Sequence, residues 1–325
     1  KGTGEWENWL ISESVFDERF LGKCEAIFCQ GNGYLGVRNA MEEAYTSETR
    51  DMFVTGTFNK FHENEVTELP NFPDVTKMAL HVNGRPLSLL TGRILDYERT
   101  LNLKTGEVVR QVLWENGEGI QLAFRFARMV SMEDEHVIGA RVEIEPQNSD
   151  VEIKLVSGID GTVSNSGAQH FCEGDKRLYD NRYLEMVSET VESGVTAGIY
   201  TTHRFLMDGQ EIEPKILPVI SRREIKISTQ LPVKKGQRLV IEKLSAVYTS
   251  RDKVYMEGGD VHGRMPEGVS FTPETVVEDI KNTGLARVRA LGEEGYENLL
   301  LASARVWADI WEKEDVQIDS ANAID

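Results

Sequence analysis

The stretch "KMALHVNGRPLSLL", residues 77–90, decides the fold class. Met78, Leu80 and Val82 alternate with more polar neighbours, the period of a strand with one buried face. Asn83-Gly84 follows, a dipeptide that accepts positive φ at both central positions of a type I′ turn, and Leu87 and Leu89 resume the apolar pattern. The segment therefore predicts a β-hairpin.

The same punctuation recurs along most of the chain. In "RQVLWENGEGIQLAFRFARMV", Val112 and Trp114 lead into Asn116-Gly117, and Ile120, Leu122, Phe124 and Phe126 alternate after it, which predicts a second Asn-Gly hairpin. "HVIGARVEIEPQNSDVEIKLVSGID" predicts a strand pair joined at Pro146-Gln147-Asn148. "EIKISTQLPVKKGQRLVIEKLSAVYTS" predicts two or three strands more. Many short strands with tight turns give a mainly β fold, antiparallel sheets folded into a β-sandwich.

After residue 271 the period changes. Thr272, Pro273 and Glu274 supply an N-cap, a first-turn proline and a first-turn acid. Gly284 weakens this helix without ending it. Leu300, Ala304, Trp307 and Trp311 then form one stripe at steps of four, three and four. Two tryptophans on one stripe need a large surface, so these helices are expected to bridge to something else.

Composition limits the partners. The 325 residues carry a formal charge of −18, which repels phosphate backbones and anionic lipid and counts against nucleic acid or a membrane surface. No apolar run approaches ~18 residues, the length that crosses a bilayer, and the residues given include no secretory leader. Cys24, Cys29 and Cys172 are odd in number and widely spaced, with no CxxC pair, which predicts a reducing cytoplasm and no zinc site.

Chemistry-bearing patterns are sparse. "FCQGNGYLGVRNAMEEAY", residues 28–45, matches GxGxxG literally, but no amphipathic helix follows and no βαβ alternation surrounds it. A glycine-permitted β-turn is the stronger reading on pattern. Glycoside chemistry needs two carboxylates. Among 54 acidic residues, Glu42, Glu43, Asp51, Glu63, Glu65, Glu68, Asp74, Asp160 and Glu173 are candidates, and spacing singles out none. A mutarotase-like site would pair His170 with His136 or His203, against the plainer reading of partly buried strand or loop histidines. No residue is assigned a catalytic role, and no cofactor or metal is expected. The loop "FNKFHENEVTELPNFPDVTK", residues 58–77, is polar, aromatic and proline-braced. It reads equally as a rigid connection or as a binding element, with Glu68, Asn71, Phe72 and Asp74 placed to touch a sugar or a neighbouring domain.

Five segments in order, "QGNGYLGVR", "EEAYTSETRDMFVTGTFNK", "ELPNFPDVTKMALHVNGRPLSL", "SGIDGTVSNSGAQHF" and "SARVWADIWEKEDVQID", resemble glycoside hydrolase family 65. That family holds phosphorylases of maltose, trehalose, kojibiose and nigerose, and some hydrolases. Asn39-Ala40 replaces the glycine usual after its Val-Arg pair, a departure more like the kojibiose-type members. The resemblance implies a mutarotase-like supersandwich over residues 1–270, a helical linker over 271–325, and an (α/α)₆ barrel beyond this chain that holds the general acid and the phosphate site. It also implies a homodimer and an inverting phosphorolysis of an α-glucobiose, with inorganic phosphate as co-substrate and no cofactor. A free-standing carbohydrate-binding sandwich and an aldose epimerase are the alternatives.

Overall fold

The computed structural model describes residues 9–46, 48–256 and 272–315. Its strands are β1 (Leu10–Glu13), β2 (Gln30–Gly31), β3 (Leu35–Val37), β4 (Met52–Val54), β5 (Met78–Val82) and β6 (Arg85–Pro86). Long strands follow: β7 (Arg93–Asn102), β8 (Glu107–Glu115), β9 (Gln121–Val130), β10 (Val137–Pro146) and β11 (Val151–Asp160). The rest are β12 (Asp175–Tyr179), β13 (Tyr183–Glu189), β14 (Thr196–Met207), β15 (Gln210–Ile212), β16 (Leu217–Ile220), β17 (Glu224–Val233) and β18 (Leu239–Thr249). Helices are α1 (Leu21–Ile27), α2 (Lys253–Met256) and α3 (Pro273–Glu314).

A 10-stranded sheet runs β1-β7-β8-β9-β10-β18-β14-β13-β12, with β15 paired to β14, and faces a 5-stranded sheet of order β16-β17-β11-β5-β6. Among the described residues every pairing between strands is antiparallel. The core lies between the sheets, where Leu80, Val82, Ile153 and Ile227 of the smaller meet Phe124, Val142, Ile199 and Ile241 of the larger. Each such side chain contributes roughly 1.5–3 kcal/mol by leaving water. The mainly β sandwich expected from the alternation is therefore present.

The 83–84 turn is a two-residue type I′ turn, with φ of 49° at Asn83 and 78° at Gly84 and Val82 paired with Arg85. Asn83 also accepts from the Glu152 amide at 2.8 Å and so docks the hairpin on β11. The second Asn-Gly behaves differently. Asn116 pairs with Ile120, and the positive φ, 78°, falls at Gly119 rather than Gly117. The Asn116 carboxamide oxygen accepts from the amides of Glu118 and Ile120, so a longer, side-chain-braced loop replaces the type I′ turn. The strands around Pro146-Gln147-Asn148 do not pair with each other. β10 belongs to the larger sheet and β11 to the smaller, and the β17–β18 connection crosses in the same way. Gly236 of the second corner donates to Pro146 of the first at 2.8 Å.

The glycine-rich stretch is a turn. Asn32 accepts from the amides of Tyr34 and Leu35 and donates to the carbonyls of Ser131 and Glu135, while Gly33 takes φ of 88°. No helix follows, only β3.

α3 covers the outer face of the larger sheet. Ile280, Val288, Leu291, Tyr296 and Leu299 pack on Met129, Tyr200, Leu244 and Ala246. Covered on both faces, β18 is buried from end to end and shows no alternation of exposure. Thr272 caps α3 as expected, and Gly295 (φ 73°, ψ 165°) breaks it into two helices. The tryptophan stripe does not reach away from this chain. Trp311 donates to the Leu103 carbonyl at 2.8 Å and packs edge-on against Trp9, and Trp307 stacks on Trp311. The surface that these rings required is the sandwich itself. The expected domain boundary at 270/271 and the final residues 316–325 lie outside the described residues.

Candidate functional site

Three loops meet at a cleft of about 580 Å³: residues 48–51 before β4, residues 68–77 before β5, and residues 160–166 after β11. Asn71 ties them together. Its carboxamide oxygen accepts from the Met52 amide at 3.0 Å. Its nitrogen donates to the Arg50 carbonyl at 2.9 Å and to Asp51 at 3.0 Å. Its backbone amide donates to Asn165 Oδ1 at 2.7 Å. Every polar position of this buried side chain is used, as burial demands.

Asp74 fixes the next turn. It is 3% exposed, and it accepts from the Thr76 amide and hydroxyl and from the Lys77 amide. Burial alone would raise its pKa, but the charges of Arg50 and Lys243 and the Thr76 bonds outweigh that and hold it below the usual carboxylate range. Its backbone pairs with Asp160 across an isolated bridge. Asp160 accepts from Thr162 and from Lys226 Nζ at 3.0 Å, which overcomes its burial and pulls it down to about 2.

Glu68 is the exposed arm of the site. Its Oε1 lies 2.9 Å from His170 Nε2. Asn59 Nδ2 sits 2.9 Å from the other ring nitrogen, so both sides of the buried imidazole have partners. Asp51 is half-buried, and burial pushes its carboxyl up. Phe72 is not at the surface. It is fully buried against Phe171, with ring centroids 5.0 Å apart, and forms no part of the cleft lining. The whole stretch from Pro70 to Thr76 is buried, and this ring takes the apolar side of it.

Of the four residues singled out from sequence, then, Glu68, Asn71 and Asp74 line one cleft and Phe72 lies in the core. Asp51 and Asp160 join them from the wider set of carboxylates. Glu43 and Glu42 are instead buried beside Arg110 and Arg128. Sequence reading missed Thr162, Ser164 and Asn165, which arrive from about 90 residues downstream through the β5–β11 pairing. The polar run "TVSNS" between strand and turn was the only local sign of them.

His136, His170 and His203 do not assemble. His136 holds the Val247 carbonyl at 2.8 Å beside Asp252, His203 meets Ser157 between the sheets, and His170 belongs to Glu68 and Asn59. The cleft carries five carboxylates against Arg50 and Lys77, with Thr49, Thr162, Ser164 and Ser166 around them. Such a lining disfavours phosphate and offers acceptors to neutral hydroxyl groups.

Fold and cleft together describe an antiparallel sandwich with a helix layer and a polar, acidic opening. The family model described as "Glycosyl hydrolase family 65, N-terminal domain" matches residues 11–310. The chain belongs to glycosyl hydrolase family 65, as its N-terminal domain. It is 36% identical over 317 residues to the kojibiose phosphorylase of Halothermothrix orenii, covering 98% of this chain and 39% of that protein. Its identity to the Escherichia coli K12 kojibiose phosphorylase is 26%, covering 97% and 38%. A solved structure from the human microbiome, described as a candidate kojibiose phosphorylase, superposes with a TM-score of 0.80 at 16% identity, over 97% of this chain and 39% of the other. The chain thus spans about two fifths of the length of the curated relatives it matches.

Proposed function

We propose that this chain is the non-catalytic domain that shapes the substrate entrance of a family 65 phosphorylase acting on an α-linked glucobiose of the kojibiose type. In this reading inorganic phosphate attacks the anomeric carbon in a separate catalytic barrel, giving inverted β-glucose 1-phosphate and glucose. The sandwich braces that barrel, contributes to a homodimer and works in the cytoplasm without a cofactor. The observation that carries it is the cleft formed by residues 48–51, 68–77 and 160–166, rich in carboxylates and hydroxyls and open through Glu68.

The test uses the full-length enzyme with kojibiose and phosphate. Glu68→Gln and Asp51→Asn should raise KM for the disaccharide by about threefold or more, leaving kcat and the phosphate KM near wild type. Unchanged disaccharide KM in both variants would remove the entrance role. Phosphorolysis by this chain alone would remove the non-catalytic assignment.

Phe58 and Phe61, 55% and 46% exposed, favour a second reading as a free-standing sugar-binding platform. Calorimetric titration with glucosides decides it: heat abolished by Phe58→Ala would support the platform, and no heat would end it.

A further inference from the structure

One buried residue, Asn59, holds Glu68 twice. Their backbones form an isolated antiparallel bridge, the Asn59 amide donating to the Glu68 carbonyl at 2.9 Å and the Glu68 amide to the Asn59 carbonyl at 3.1 Å. The Asn59 side chain then reaches the Glu68 side chain through His170. Residues 61–67 between the two are exposed throughout, so Glu68 is fixed from this neck and not from the loop tip.

The hydrogen positions along this relay follow from the backbone. Asn59 Oδ1 accepts from the amides of Glu192 and Ser193, at 3.2 and 2.9 Å, and a backbone N–H can only donate. The carboxamide oxygen is thereby assigned, and Nδ2 is the other end. It donates one hydrogen to the Lys60 carbonyl at 2.9 Å and has one left for His170 Nδ1, also at 2.9 Å. Nδ1 is therefore an acceptor, and the ring hydrogen sits on Nε2, which donates to Glu68 Oε1 at 2.9 Å. Both nitrogens of the buried ring are in use, which leaves neither for the acid–base work of an epimerase.

The two oxygens of Glu68 differ. Oε1 is held by the imidazole, and among the described residues the side chain takes no other hydrogen bond. It is partly exposed and lines the cleft. A free glutamate surrenders rotamer freedom when a ligand hydroxyl binds it, and one already anchored at Oε1 has less to surrender. We infer that His170 is the positioning residue for Glu68. Its Nε2–H holds Oε1 so that Oε2 is left for a hydroxyl of the disaccharide, and Asn59 selects the tautomer that does so. The inference rests on the entrance role proposed for the cleft.

The test uses the full-length enzyme with kojibiose and phosphate, and separates the two ring nitrogens. In His170→Asn the shorter carboxamide can still accept from Asn59 but stops short of Glu68. In His170→Gln the longer one carries an N–H near the place of Nε2. His170→Asn should raise the disaccharide KM about threefold to tenfold, the worth of one hydrogen bond, with kcat and the phosphate KM near wild type. His170→Gln should rescue that KM to within about twofold of wild type. Equal losses in both variants would mean that the ring serves packing alone and would overturn the inference. If His170→Asn does not fold, Glu68→Asp decides. It keeps the charge but is one methylene too short for Nε2, so its KM should rise as in Glu68→Gln, and a wild-type KM would mean that no anchor is needed. A raised KM in Glu68→Gln with no change in either His170 variant would remove the positioning role and leave the entrance role standing. An unchanged KM in Glu68→Gln would remove both.

Discussion

Gly284 of α3 faces the ring of Tyr200 so closely that a β-carbon would lie 1.9 Å from Cε2. The glycine read from sequence as a weak point in a helix is thus the point where helix and sheet approach, and the Tyr200 hydroxyl donates to the Ile280 carbonyl at 3.0 Å beside it. Gly284→Ala gains about 1 kcal/mol of helix propensity. It overpacks a fully buried ring, at a cost of about 1–3 kcal/mol or more. The net expectation is destabilisation, read as a lower urea midpoint, and a stabilised variant would mean that the helix can lift from the sheet freely.

The 116–120 loop separates two glycines that look alike in sequence. Gly119 holds φ of 78°, whereas Gly117 is not among the positive-φ glycines, and a β-carbon at either position would have no neighbour within 4 Å. Gly119→Ala should cost about 1–2 kcal/mol from left-handed backbone strain, and Gly117→Ala should be close to neutral. Equal costs in thermal denaturation would contradict this loop geometry.

Arg110 is 3% exposed and bonded to Glu42 and Glu43, with its guanidinium 4.1 Å from the centre of the Phe126 ring. Burial would raise the Glu42 pKa, but Arg128 and Arg110 pull it down to about 2. Arg110→Met leaves Glu43 buried without its ion pair and should cost about 3–5 kcal/mol. Adding Glu43→Leu should recover much of that loss in chemical denaturation, because the unpaired charge goes with it.

Lys243 lies between the sheets, 1% exposed, donating to the carbonyls of Gly158 at 2.6 Å and Lys77 at 3.0 Å. Burial pushes its pKa down to about 7 from 10.5. Between those values the unfolded chain holds a proton that the folded chain has lost, so this residue makes stability rise with pH, by up to about 1.4 kcal/mol per pH unit, and level off above 10.5. The difference between wild type and Lys243→Met, followed from pH 7 to 10.5, should show this slope. A flat difference would mean that Lys243 keeps its proton when folded.

Local order was legible where one residue and its neighbours determine it. Met78, Leu80 and Val82 announced a half-buried strand, Asn83-Gly84 its turn and Thr272-Pro273 the start of a helix. Partnership was not legible, because sheet membership depends on contacts made far along the chain: β10 and β11 read as neighbours and lie in different layers. Asn116-Gly117 was misleading because Gly119, two residues on, takes the strained position. In the cleft, Glu68, Asn71 and Asp74 were visible as one polar loop, while Thr162 and Asn165 became their neighbours only through β5–β11 pairing. Phe72 looked like a contact residue because its flanks are polar, although its ring is turned into the core.

The two corners where the chain changes layer sit side by side, joined through Gly236 and Pro146. That single backbone bond, worth about 1 kcal/mol, couples the two places at which the chain passes between layers. A change of backbone at Gly236 should therefore loosen both crossings together.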